Sequence, residues 1–242
     1  MTADSEPAKV NSLSVFFPAY NEEANIENTV TKALSILPGV AHEWEIIVVD
    51  DGSSDRTGAI VEAMAKEEER IRLITHERNR GYGAGLKSGL YNAQYELIAF
   101  TDADGQFDFS EIVNFLETRE KTGADLVIGY YLKRQVPFYR ILGSKFLWEP
   151  SVYLLFGLKV RDIDCGFKLI DRKVAEEIDD LESERGPFIS SEFLIKAKKA
   201  GFKIVEIGVH HYPREGGKAT GASLKVIVSG FQDLFRLWRK LR

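Results

Sequence analysis

The first half of the chain repeats one pattern, and that pattern restricts the fold more than any other feature. A short apolar run is followed by a polar segment, then by a stretch whose apolar residues fall at helical spacing. Leu13 to Phe17, Glu45 to Val49, Ile71 to Thr75 and Glu96 to Thr101 read as buried strands. Between them Ile26, Val30, Ala33, Leu34 and Leu37 share one helical face, and Ile60, Val61 and Met64 share another. Gly81 to Ala93 reads as a third, glycine-opened helix. Pro18 is expected to stop the first strand, since proline cannot donate to a ladder, and Asn21 to cap the helix after it. Pro38-Gly39 is expected to end that helix. The alternation returns about every 25 residues, which implies right-handed crossovers and a mostly parallel sheet flanked by helices, an α/β fold.

In such a sheet ligands bind beyond the carboxyl ends of the strands. Three of those ends carry the most polar short segments here: Tyr20 to Glu23, Asp50 to Asp55, and Asp102 to Gln106. The pattern therefore brings three loops to one edge. The second half is less regular. Strands are expected over Ala124 to Gly129 and Lys203 to Val209, with a turn and short strand within Asp162 to Ile170. Helical segments are expected over Phe138 to Gly157, over Ser191 to Ala200, and from Leu224 onward.

At 242 residues, with 44% hydrophobic residues, the chain suits one large α/β domain. We assign residues 1–11 to a disordered lead-in, 12–220 to the domain and 221–242 to a basic amphipathic helix. The net charge of −5 gives no global basic footprint for nucleic acid. The single cysteine, Cys165, allows no intrachain disulfide, which fits a reducing compartment, and it reads as a small buried residue. Met1 to Lys9 lacks the apolar core of a signal peptide, and no apolar run reaches the roughly 18 residues of a membrane span.

Asp102 and Asp104 stand one residue apart at a strand end, where both carboxylates can face the same way. Oxygen donors of this kind suit Mg²⁺ or Mn²⁺, and Gln106 adds a neutral oxygen. An ordinary Asp-rich turn would have the same composition. Asp51 could accept hydrogen bonds from a base or ribose, or Asp50 to Asp55 could simply cap the next helix. Tyr20 could stack a base and Glu22 bind ribose hydroxyls, or the pair could sit at a favourable acidic helix start.

Taken together, Pro18-Ala19-Tyr20-Asn21-Glu22-Glu23, Val48 to Thr57, Asn79-Arg80-Gly81-Tyr82-Gly83 and Thr101 to Gln106, in that order, closely resemble glycosyltransferase family 2. Each motif is weak alone, and the ordered set is specific. The later segments Asp162 to Lys168, Ser191 to Leu194 and His211 to Lys218 resemble its dolichyl-phosphate mannose synthase-like, polyprenyl-phosphate branch. The resemblance implies the GT-A fold and an inverting transfer of a hexose from GDP-mannose or a UDP-sugar to a polyprenyl phosphate. It implies that Pro18, Tyr20, Glu22 and Asp51 hold the nucleoside, and that Asp102, Asp104 and Gln106 hold Mg²⁺ or Mn²⁺ and the diphosphate. Arg214 and Lys218 would meet phosphates, and Asp162 and Glu192 would lie near the acceptor or transferred sugar.

A phosphate acceptor is already an anion and needs no base. A hydroxyl acceptor on a glycan, protein or small molecule does, and Asp162 and Glu192 are then the candidates. A non-catalytic nucleotide-sugar-binding module is a further alternative. Many members of the resembled family continue into transmembrane helices, which leaves membrane integration open. Phe231, Leu234, Phe235, Trp238 and Leu241 share one helical face, with Arg236, Arg239, Lys240 and Arg242 near them. That helix suits peripheral contact with an anionic membrane at its cytoplasmic face, or docking on its own domain. His210 and His211 are adjacent, so on a strand they would point apart and could not share an ion.

Overall fold

A computed structural model describes residues 9–133, 148–184, 186, 188–214, 216 and 224–242. The apolar runs pair as β1 (Val10–Ala19), β2 (Ala41–Asp50), β3 (Ile71–Thr75), β4 (Leu97–Phe100), β5 (Leu126–Tyr131), β6 (Lys168–Asp171) and β7 (Ile204–Val209). They form one sheet in the order β3-β2-β1-β4-β6-β5-β7. β6 runs antiparallel to both β4 and β5, and every other pairing is parallel. The helices are α1 (Ile26–Val40), α2 (Thr57–Glu67), α3 (Tyr82–Asn92), α4 (Ile112–Thr122), α5 (Glu149–Phe156), α6 (Arg172–Glu177), α7 (Phe188–Lys199) and α8 (Leu224–Leu241).

Side chains alternate across a strand, so a sheet covered on both sides has two cores. Leu13, Val15 and Phe17 of β1 pack with Ile46 and Val48 of β2 against α1, α2 and α4. Phe16, Ile47 and Val49 face the opposite layer, which holds Leu86 and Leu90 of α3, Ile189 and Phe193 of α7, and Leu234 and Leu237 of α8. Burying each such side chain contributes roughly 1.5–3 kcal/mol before entropy is counted. The Phe16 ring stacks on Phe100 with centroids 5.0 Å apart, which ties β1 to β4.

Several local expectations change. β1 begins at Val10, inside the expected lead-in, and runs through Pro18 to Ala19. Proline is tolerated there because β4 ends at Phe100, opposite Phe16. The Phe16 carbonyl accepts from Thr101 on that side, so the missing amide of Pro18 faces past the end of β4. Asn21 does not cap α1, whose N-cap position is Asn25. It sits instead at φ +56, in the left-handed region that asparagine tolerates, and its Oδ1 accepts from the Ser54 amide at 2.8 Å. α1 continues through Pro38-Gly39 to Val40 and passes directly into β2. α4 and α6 were not expected. Of the helical stretch expected over residues 138–157, α5 forms the last part, and 134–147 lie outside the described residues.

The directions of the strands gather the polar segments. β1, β2 and β4 are parallel, so residues 20–23, 50–55 and 101–106 leave at one edge. β6 starts with Lys168 opposite Phe100, so residues 162–167 reach the same edge from the other direction. β5 runs with β7, which ends at Val209 and delivers residues 210–214 there.

Candidate active site

The loops after β1 and β2 are knitted together by short polar side chains. Ser53 Oγ accepts from the Asn21 amide at 2.9 Å, and Thr57 Oγ1 from the Glu22 amide at 2.8 Å. Asp55 accepts from the Glu23 amide at 3.0 Å. Glu22 is thereby held with only 8% of its surface exposed. Its Oε2 accepts from Asn25 Nδ2 at 2.8 Å, and its Oε1 pairs with the Arg214 guanidinium. Burial raises the Glu22 pKa; Asn25 and Arg214 oppose that rise, and Asp104 adds to it.

Arg214 also reaches Asp104, with Nη1 3.4 Å from Oδ2, and its Nε donates to the Gly216 carbonyl at 2.6 Å. One guanidinium therefore joins the loop after β1 to the loop after β4. Asp104 Oδ1 accepts from the Gln106 amide at 3.1 Å. Gln106 Nε2 donates to the Tyr212 carbonyl at 2.8 Å, which fixes the segment carrying Arg214 alongside. Asp102 Oδ1 accepts from the Tyr82 hydroxyl at 3.1 Å. Burial, with Asp104 next in weight, pushes Asp102 up to about 7. Burial and Asp102 together push the Tyr82 phenol well above its ordinary value, so it remains the donor.

Asp51 is 4% exposed and fully engaged. Its Oδ1 lies 2.6 Å from His76 Nδ1 and 2.9 Å from the Arg80 amide, and its Oδ2 accepts from the Gly81 amide at 2.7 Å. A carboxylate only accepts, so Nδ1 carries the donating hydrogen, and Nε2 meets Ser88 Oγ at 2.9 Å. Asp51 thus fixes the entry to α3. Pro18 and Tyr20 are half-buried beside these loops. Gly85 lets α3 approach Pro18, since a Cβ there would lie 3.3 Å from the proline Cβ.

Asp162 is 3% exposed and its Oδ1 accepts from the Asp164 amide at 3.1 Å. Its segment continues to Gly166, where a Cβ would stand 2.4 Å from Asp102 Oδ2. Only glycine leaves that carboxylate its place. Lys168 is buried and hydrogen-bonds the Cys165 carbonyl; desolvation lowers its pKa, and Cys165, Asp164, Asp162 and Asp102 oppose the fall. Burial pushes the Cys165 thiol up to about 12, which leaves it inert as a nucleophile.

Glu192 lies on α7, where Oε1 accepts from the Glu182 amide and Oε2 from the Ser183 amide, each at 2.9 Å. Lys196 Nζ is 2.9 Å from Oε1. Burial alone would raise its pKa, but the bonds from Ser183, the Glu182 amide and Lys196 outweigh it and the net shift is downward. A carboxylate so held is a weak base. Lys218 lies outside the described residues. The two histidines separate as expected: His210 Nδ1 meets Glu111 at 2.6 Å, and His211 packs edge-on against Phe107. The contributions of Tyr82, His76 and Gly166 were missed. Tyr82 and Gly166 stood inside motifs already noted, and only their contacts give them roles.

Among the described residues no group of three or more His, Cys, Asp and Glu side chains is gathered to hold a metal ion. Two carboxylates are nonetheless the protein share expected for an octahedral Mg²⁺ or Mn²⁺, whose other ligands are phosphate oxygens and water. Asp102 and Asp104 fit that share.

The protein-family model described as Glycosyl transferase family 2 matches residues 14–179. A dolichyl-phosphate beta-glucosyltransferase of Trichomonas vaginalis is 30% identical over 248 residues, covering 96% of this chain and 74% of that protein. The glycosyltransferase AglD of Haloferax volcanii is 29% identical over 235 residues, covering 95% of this chain but only 37% of that protein. Glucosyl-3-phosphoglycerate synthase of Mycobacterium tuberculosis, solved with Mn²⁺, uridine diphosphate and phosphoglyceric acid, superposes with a TM-score of 0.68 at 21% identity. That likeness covers 94% of this chain and 77% of the solved one. The mostly parallel sheet with its flanking helices is thus the GT-A arrangement of glycosyltransferases.

Proposed function

The chain belongs to glycosyl transferase family 2, and from that premise we propose that it transfers a hexose, with inversion, from a nucleotide sugar to a polyprenyl phosphate. The observation that carries this reading is the bridge made by Arg214 between Glu22 and Asp104, two residues 82 positions apart in sequence and joined at one sheet edge. It supports a single site for the nucleoside, at Glu22, Asp51, Pro18 and Tyr20, and for the diphosphate, at Asp102, Asp104 and Arg214. A nucleoside diphosphate brings negative charge that would compete with Glu22 and Asp104 for Arg214. Donor binding would therefore exchange one set of charge-assisted bonds for another.

A divalent ion, Mg²⁺ or Mn²⁺, held by Asp102 and Asp104 with Gln106 nearby, would neutralise charge on the departing diphosphate. The chain's own groups then orient the donor. Asp51, through the Arg80 and Gly81 amides, and Asp102, through the Tyr82 hydroxyl, hold the entry to α3, and Gly166 leaves Asp102 its place. Inversion requires in-line attack at the anomeric carbon. A phosphate acceptor arrives ionised, so no side chain has to remove a proton. The engagement of Glu192 with two amides and a lysine favours this acceptor over a hydroxyl, for which Asp162 would be the remaining base candidate. Relatives named for dolichyl phosphate support the same class.

No helix among the described residues is long and apolar enough to cross a membrane. Peripheral contact, at the cytoplasmic face, is the reading supported by α8 and α5. Leu234 and Leu237 of α8 are buried in the domain, while Phe235 is 53% exposed and Leu154 of α5 80% exposed. Arg236, Arg239, Lys240 and Arg242 accompany that apolar surface.

The test measures nucleoside diphosphate release with Mn²⁺ or Mg²⁺, across a panel of nucleotide sugars, with polyprenyl phosphate offered in anionic vesicles. Lipid-dependent release is expected, reduced at least about a hundredfold in Asp104→Ala and weakened in Phe235→Glu only when vesicles carry the acceptor. Release that is stimulated by hydroxyl compounds and not by the lipid overturns the acceptor assignment. No release with any donor overturns the transferase reading.

A further inference from the structure

We propose that Glu192 is a positioning residue, which sets the first turn of α3 through the segment 180–184 and so aligns Asp51 with Asp102. The inference rests on the reading that those two carboxylates serve the nucleotide sugar. Glu192 itself lies outside the stretch matched by the family model.

The connection can be followed bond by bond. Glu192 is 1% exposed, and its two oxygens accept from the amides of Glu182 and Ser183. Lys196, one helical turn on, adds bonds to the Asp180 carbonyl and carboxylate, each at 2.8 Å. The segment is thus fastened to α7 at three successive places. Its other side grips α3. The Glu184 carbonyl accepts from the Ala84 amide at 3.0 Å. The Leu181 carbonyl accepts from Lys87 Nζ at 3.1 Å. The Glu184 carboxylate meets Arg80 Nη2 at 3.0 Å and Lys87 Nζ at 3.3 Å. A Cβ at Gly83 would stand 2.7 Å from the Ser183 carbonyl oxygen and 2.8 Å from that of Glu184, so the two backbones meet without side chains between them.

The gripped turn carries the site. The Arg80 and Gly81 amides point at Asp51, and the Tyr82 hydroxyl at Asp102. These are consecutive residues, so a shift of the turn displaces both carboxylates together. A segment held by backbone bonds on one side and an ionised carboxylate on the other transmits position well, because charge-assisted bonds tolerate little stretching. A role in chemistry would need Glu192 to release the amides that fasten the segment, and no such release is required for positioning.

Two readouts on Glu192→Gln test this. An amide side chain can keep one acceptor but presents a donor to the other backbone amide. Native-state hydrogen exchange is expected to speed up at least about tenfold at Glu182 and Ser183 and also at Gly81 and Ala84, with the β1 and β4 amides unchanged. In the transfer assay the donor KM is expected to rise about tenfold while kcat changes less than about threefold. Lys87→Met, which removes the Lys87 contacts to Leu181 and Glu184 and leaves those of Ala84 and Arg80, is expected to act in the same direction by a smaller factor, and carries the test if Glu192→Gln fails to fold. Faster exchange confined to Glu182 and Ser183, or a fall in kcat at constant KM, overturns the proposal. A wild-type protein that binds no donor contradicts the functional reading instead, and leaves the exchange result to stand by itself.

Discussion

At the residue scale the site is a balance of charges that burial makes costly. Asp102 shows the consequence most clearly. Its carboxyl is pushed up to about 7 by burial and by Asp104, so about half of the folded molecules carry a proton there in neutral solution. The divalent ion proposed for Asp102 and Asp104 would bind the deprotonated form and displace that proton. Binding therefore weakens as pH falls. The apparent affinity for Mn²⁺ in the presence of uridine diphosphate is expected to drop about tenfold per pH unit below about 7 and to level off above it. Titrations between pH 5.5 and 8.5 check this, and a flat profile across that range contradicts it. Asp102, Asp104 and Glu22 were singled out in the sequence at strand ends and Arg214 through the resemblance, and the structure brings Glu22, Asp104 and Arg214 into contact. The partners that fix them were not singled out. Tyr82 reaches Asp102 across 20 positions and His76 reaches Asp51 across 25, and nothing local marks either residue.

At the scale of elements, legibility followed burial for the central strands, while α2 was read from its spacing although it buries only Thr57 and Val61. β1 and β2 lie between two cores, so their apolar runs announce them. α4 and α6 each bury little: Ile112 and Phe115 in one, Val174 and Ala175 in the other. Their patterns are correspondingly faint. Pro18 and Asn21 misled because their rules are local, whereas the end of β4 and the neighbouring Ser54 decided the outcome. The turn into β6 is built closely around the Asp102 carboxylate. Gly166 has no conformational need to be glycine, since its φ is not among the positive ones. It has a spatial one, because a Cβ would meet the Asp102 carboxylate. Gly166→Ala is expected to lower kcat/KM at least about tenfold while moving the melting temperature by no more than about 3 °C. A large loss of stability with activity retained in the folded fraction would place the role of Gly166 in the core instead.

Across the whole molecule, one edge of one sheet gathers the candidate site. Five chain segments from both halves of the sequence reach it, and the parallel order of β1, β2 and β4 with the reversed β6 brings them together. The parallel run of β1, β2 and β4 was readable beforehand, because alternating strands and helices imply it; the strand order and the reversed β6 were not. Nor was the fate of the C-terminal helix. Its stripe suits either membrane or domain, and the structure uses Leu234 and Leu237 for the domain while Phe235 faces outward. Lys240 pairs with Glu182 and lies 3.7 Å from Asp180, so the helix also touches the segment that grips α3.

The central claim is that three strand-end loops and Arg214 form a single metal-dependent nucleotide site. Equilibrium binding of uridine and guanosine diphosphates, with and without Mn²⁺, to the wild type and to Asp104→Ala tests it most directly. The account predicts that one of the two nucleotides binds at least about tenfold more tightly with Mn²⁺, and that Asp104→Ala removes this gain without lowering the melting temperature. Binding that ignores both the ion and Asp104 would contradict it.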